Sequence, residues 1–247
     1  MSGHSKWATI RRKKEKLDSA RGRTFSKLIK EITIAARMGG GDPNGNPRLR
    51  SAIDAAKAAN MPAGNIDRAV QKGTGELEGV NYEEVTYEAY GPGGSALLID
   101  VTTDNRNRCV SEIRHMISKN GGNMGEAGSV NWMFQRKGQI GVPAAGVDED
   151  ALMMAALDAG ADDVRLDESY FQIVTEPDSL EQVRKALLTA GFKVESAEVV
   201  KLPQTFIPLN PGQAKQLLRI MEVLDEHDDV QNVWSNCDLP EEVLAEE

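Results

Sequence analysis

The sequence predicts an α+β fold: an N-terminal three-helix domain followed by two ferredoxin-like βαββαβ domains, one inserted in the other. Three observations predict it. Apolar residues recur at helical spacing in three segments before Gly73, where a short polar linker changes the composition. Residues 139–199 then spell strand–helix–strand twice in succession, the ferredoxin-like order. Half of a similar pattern lies on each side of that block, so the two halves make a second domain if the chain leaves it and returns. The expected boundaries are 1–80 for a basic arm plus helical bundle, 81–135 with 201–240 for the split α/β domain, and 136–200 for the inserted domain. In the alternative layout the C-terminal strand–helix–strand extends the preceding sheet.

Residues 1–22 hold only Trp7, Ile10 and Leu17 as large apolar groups, too few for a core, and read as an arm that orders on its partner. The first helix covers 23–38, with Phe25, Leu28, Ile29, Ile32, Ala35 and Ala36 on one side, and stops at three consecutive glycines. Asn46 caps a second helix with Pro47 at its first position, burying Leu49, Ala52, Ile53 and Ala56. A third opens near Pro62, buries Ile66, Ala69 and Val70, and ends at Gly73. The GGGDPNGNP stretch between the first two follows no strand and lacks a GK[ST] ending, so it reads as a helix stop and a helix start, not a phosphate loop.

Strands at 85–89 and 96–101 flank the Gly91-Pro92-Gly93-Gly94 turn. Asp104 is placed to cap a helix over 105–120, and 130–134 reads as the next strand. In the inserted block, strands are expected at 139–142, 163–166, 170–175 and 193–199, with helices at 149–158 and 179–190. A strand at 204–207, a helix at 211–226 and a strand at 230–234 complete the chain.

Charge is segregated along these elements. Residues 3–37 carry eleven cations against Glu15, Asp18 and Glu31, a net +8, whereas the whole 247-residue chain is −9 and the remainder therefore −17. One end is built for a polyanion. On the first helix, Arg23, Lys27, Lys30 and Arg37 oppose the apolar side, with Ile34 the one apolar residue among them. Successive charges stand ~6 Å apart, a spacing able to follow a phosphate backbone. A solvated helix face is the competing reading. The candidate nucleic-acid contacts are Lys6, Trp7, Arg11, Arg12, Lys13, Lys14, Lys16, Arg21, Arg23, Lys27, Lys30 and Arg37. Trp7 either stacks on a base or packs back on the helices. Arg106 and Arg108, in the DNRNR stretch at a helix start, join them, because helix N-termini attract anions and Arg reads base edges. The competing role for that pair is salt bridging to Glu83, Glu84 or Glu112.

Other classes find little support. The chain lacks the run of about 18 apolar residues a membrane helix needs, and its start lacks the apolar core of a secretory signal. The segment 11–16 is too densely charged for a mitochondrial import helix. Cys109 and Cys237 make no disulfide framework, so a reducing cytoplasm is the expected compartment. His4, His115 and His227 are far apart, with no metal-ligand spacing among them, so neither metal nor cofactor is expected. Ser111, His115 and Ser118 share a helix face without a nucleophile elbow or oxyanion signal, and the carboxylates are diffuse; no catalytic residue is assigned.

Several segments, in order along the chain, resemble the YebC family: GHSKW at 3–7, GR-x-F at 22–25, GGGDP at 39–43, NPRLR at 46–50, NMP at 60–62, YGPGG at 90–94, DNRNR at 104–108, GGN at 121–123 and GSV at 128–130. The resemblance implies an N-terminal helical domain and two α/β domains, the third inserted in the second. It implies a cytoplasmic, probable DNA-binding transcriptional regulator. Mitochondrial relatives include a translational activator, and bacterial members are linked to the ribosome, so RNA is the alternative target. A protein- or ligand-binding α/β module without nucleic-acid contact is a third reading. Target sequence and oligomeric state are not implied.

Overall fold

The computed structural model describes residues 18–240 apart from Glu168, together with Val243, with side chains from Gly22 onward. The chain divides into two compact units, Trp132–Phe206 and the residues on either side of it.

In the flanking unit, three helices come first: α1 (Asp18–Gly39), α2 (Pro47–Ala58) and α3 (Ala63–Thr74). Ile32, Ala35 and Ala36 of α1 meet Leu49, Ala52, Ile53, Ala56, Met61, Ile66 and Ala69 in one buried cluster. Asn46 fixes the turn between α1 and α2. Its side-chain oxygen accepts from the Leu49 N–H at 3.1 Å, and its amide donates to the Ala35 and Gly40 carbonyls at 2.7 and 2.9 Å. A Cβ on Gly39 would stand 2.6 Å from that amide nitrogen, and Gly40 takes a φ of +85°, so the glycine run is accounted for by the turn. Ile34, the apolar residue on the cationic side of α1, is 1% exposed, so that side is covered as well.

Strands β1 (Glu83–Tyr90) and β2 (Ala96–Thr103) follow, joined through a 3₁₀ turn at Pro92–Gly94 in which Gly93 has a φ of +67°. Next come α4 (Arg106–Lys119) and the short β3 (Asn123–Met124). Asn105, not Asp104, caps α4, its side chain accepting from the Arg108 N–H at 3.0 Å. After the insertion the chain adds β8 (Ile207–Pro208), α7 (Pro211–Asp225), β9 (Val230–Ser235) and β10 (Cys237–Asp238). The sheet order is β3-β1-β2-β9, all antiparallel, and its apolar core joins Leu97, Ile99 and Val101 to Ile113 and Ile117 of α4 and Leu217, Met221 and Leu224 of α7. Two expected strands are absent from this sheet. Residues Asn131–Met133 form a 3₁₀ turn, because the Gly128, Val130 and Asn131 N–H groups donate to the Glu88 carboxylate at 2.6–2.8 Å instead of to a strand. Of the segment at 204–207 only Ile207 lies in a strand, and with Pro208 it pairs with β10 in a separate parallel ladder.

The inserted unit runs β4 (Phe134–Pro143), α5 (Glu149–Asp158), β5 (Asp163–Asp167), β6 (Tyr170–Thr175), α6 (Leu180–Thr189) and β7 (Ser196–Pro203). Its antiparallel order β5-β6-β4-β7 is the ferredoxin-like one. Alternate residues Ile140 and Val142 of β4 and Phe171 and Ile173 of β6 pack on Leu152 and Ala156 of α5 and Val183 and Leu187 of α6. No helix among the described residues is long and apolar enough to cross a membrane.

Candidate nucleic-acid interface

The cationic side of α1 meets the end of α7 and the start of β9. Lys27 donates to the Asp225 carboxylate at 2.9 Å and to its carbonyl at 2.7 Å. One turn on, Lys30 reaches the Asp229 carboxylate at 2.5 Å and the Asp228 carbonyl at 2.9 Å, and lies 5.7 Å from the Tyr82 ring centre. Arg37 donates to the Asn81 side chain and the Tyr82 carbonyl. Arg48 of α2 bridges Glu31 and Glu84, which raises its guanidinium above its ordinary pKa. Three of the four cations expected on this side are thus engaged within the chain. Arg23 is half-buried and makes no ion pair among the described residues.

Asp229 is the hub of this contact, 4% exposed. Besides Lys30, its carboxylate accepts from Arg108 at 2.7 Å and from the Thr103 hydroxyl at 2.8 Å. Burial pushes Asp229 up, but the hydrogen bonds from Lys30, Arg108 and Thr103 outweigh it and hold it at about 2. The Asp229 N–H donates to His227 Nδ1 at 3.1 Å, so Nε2 carries the imidazole proton and faces Glu112 at 2.9 Å. Arg108 also reaches Asp104 at 3.0 Å and is raised, first by its bond to Asp229. Arg106, its neighbour in the same motif, is exposed. Of the two arginines only Arg108 is bonded to the hub; Arg106 interacts with Tyr87.

Donor atoms of Cys109, His227 and Asp229 lie within 4.8 Å of one another. A cation there would have to displace Lys30 and Arg108 from the carboxylate. The Cys109 thiol is pushed up to about 12, chiefly by burial and then by Asp229. That is the opposite of an activated nucleophile or a ready thiolate ligand.

Glu88 is a second buried carboxylate, 8% exposed. Burial raises it, yet the Val130, Gly128 and Asn131 N–H groups and the Ser129 hydroxyl hold it below the ordinary range. The GSV segment is therefore a ring of donors already filled by the chain's own anion.

Of the residues singled out from the sequence, Lys6, Trp7, Arg11, Arg12, Lys13, Lys14 and Lys16, and the side chain of Arg21, lie outside the described residues. Residues 225–229 were legible only as diffuse acidity. Their signal was complementarity: a Lys-x-x-Lys pair on one helix and an acidic run just after another. Glu88 gave no local signal.

Residues 82–237 match the TACO1/YebC second and third domain, and residues 5–76 match the TACO1/YebC protein N-terminal domain. The chain belongs to the TACO1/YebC family. It is 56% identical over its whole length to a probable transcriptional regulatory protein of Desulfatibacillum aliphaticivorans, all of which is covered. It is 54% identical to another of that description from Chlorobaculum tepidum, over 99% of this chain and 98% of that one. The crystal structure of a conserved hypothetical protein from Aquifex aeolicus superposes with a TM-score of 0.84 at 47% identity, covering 92% of this chain and 94% of the other. This TACO1/YebC chain is thus one of a family whose relatives are named as probable regulators of transcription.

Proposed function

We propose that this TACO1/YebC chain is a non-enzymatic, cytoplasmic, nucleic-acid-binding regulator of gene expression, with duplex DNA as its target. The observation that carries the reading is the +8 charge of residues 3–37 in a chain of −9. The relatives' names as probable transcriptional regulatory proteins favour DNA. In this reading the cations divide their work. Lys27, Lys30 and Arg37 anchor α1 through the contacts described above. Lys6, Arg11, Arg12, Lys13, Lys14, Lys16, Arg21 and Arg23 hold phosphates, with Trp7 stacking on a base. Such contacts give affinity and position without sequence choice.

Folded RNA is the second reading, favoured by the hydroxyl- and amide-bearing outer face of α4, where Asn107, Ser111 and Ser118 are exposed. The test compares the full chain with one lacking residues 1–21, binding duplex DNA, hairpin RNA and ribosomes across a salt series. Removing the seven cations of that segment lowers the slope of log K against log salt by up to ~6, at ~0.7–0.9 per phosphate neutralised. Weak binding that is indifferent to the deletion would discard the nucleic-acid reading in favour of a protein or small-molecule partner.

A further inference from the structure

The outer face of α4 is a second cationic surface, on residues remote in sequence from the arm. The helix carries Arg106, Arg108, Arg114 and Lys119 against Glu112 alone, in a chain that is acidic overall. Two of its charges are engaged within the chain. Glu112 turns to His227 and Arg108 to Asp229. Arg114 and Lys119 are exposed and make no ion pair among the described residues. Between them Asn107, Ser111, His115 and Ser118 stand at i, i+4, i+8 and i+11, all exposed, along ~16 Å of helix. The antiparallel neighbour α7 lies alongside, its Gln216 amide donating to the Asn120 carbonyl at 2.9 Å, and adds the exposed Arg219.

A hydroxyl on this face can tell one polyanion from another. Ser111 donates its proton to the Asn107 carbonyl at 2.9 Å, so its oxygen is left to accept. Phosphate oxygens only accept, whereas a ribose 2′-hydroxyl also donates. We infer that this face of α4 holds the sugar–phosphate backbone of a folded RNA, with Arg114 and Lys119 on phosphates and Ser111 on a 2′-hydroxyl. The inference rests on the second, RNA reading above and names a surface for it.

The test uses the full chain, an RNA hairpin with a double-helical stem, and a DNA hairpin of the same sequence. Replacing Arg114→Gln and Lys119→Gln together lowers the salt slope on RNA by ~1.4–1.8, two cations at ~0.7–0.9 each. The melting temperature is unchanged, since both side chains are exposed. Ser111→Ala weakens RNA binding about three- to tenfold, the worth of one hydrogen bond, and leaves DNA binding as it was. A double variant with the parent's slope on RNA overturns the inference, as does an equal loss from Ser111→Ala on DNA and RNA. If the parent chain binds neither hairpin, the nucleic-acid reading falls and this surface with it. If the parent binds RNA and the variants match it, this surface alone falls.

Discussion

At the scale of single residues, two buried carboxylates, Asp229 and Glu88, join distant segments, and both are held ionised against the cost of burial. For Asp229 the sign is set by its depressed pKa. A carboxylate at about 2 in the folded chain, against ~3.9 unfolded, contributes stability that is fully present above pH ~4 and lost as pH falls through 2. The contribution is about 2.5 kcal/mol by the same linkage. Asp229→Asn is therefore expected to destabilise by ~2.5 kcal/mol at neutral pH and to flatten the dependence of unfolding free energy between pH 4 and 2. Urea melts at several pH values read this directly, and parent and variant curves of equal steepness would contradict it. Glu88 is also depressed, so its contribution too is lost on acidification. Glu88→Gln replaces one carboxylate oxygen by a donor opposite three N–H groups. The expected loss is ~1–3 kcal/mol, the cost of stranding buried donors, with a melting curve as the check.

At the scale of elements, the packing of α1 on α3 turns on a glycine. Gly73 faces the Thr33 carbonyl, and a Cβ there would stand 2.7 Å from the Ala36 Cβ. Gly73→Ala forces the two helices apart, and overpacking of this kind costs ~1–3 kcal/mol. Thermal unfolding tests it, and an unchanged midpoint would mean that the crossing yields freely. The elements also show what local pattern can reveal. The helices and hairpin were legible because their apolar periods of 3.6 and 2 are local, as Leu49, Ala52, Ile53 and Ala56 show on α2. The strand expected at 130–134 failed because its N–H groups go to Glu88, some forty residues upstream. No window around Val130 contains that partner.

At the scale of the whole molecule, the net charge hides two populations of cations. A stripe such as Lys27 and Lys30 reads the same from sequence whether phosphates face it or acids 198 and 199 residues away. The arm and the outer face of α4 are, in the proposal, the populations left for nucleic acid. The candidate site was thus legible as charge, while the division between anchors and contacts depended on long-range pairing.

That division is tested most directly by one paired measurement on the full chain: unfolding free energy and the salt slope of nucleic-acid binding, for Lys27→Gln with Lys30→Gln and for Arg11→Gln with Arg12→Gln, Lys13→Gln and Lys14→Gln. The first pair is expected to lose ~3 kcal/mol or more of stability, chiefly because Lys30 leaves the buried Asp229 carboxylate, and to keep its slope. The second set keeps its stability and loses ~3–4 in slope. The opposite pattern, with the α1 lysines setting the slope and the arm cations setting stability, would contradict it.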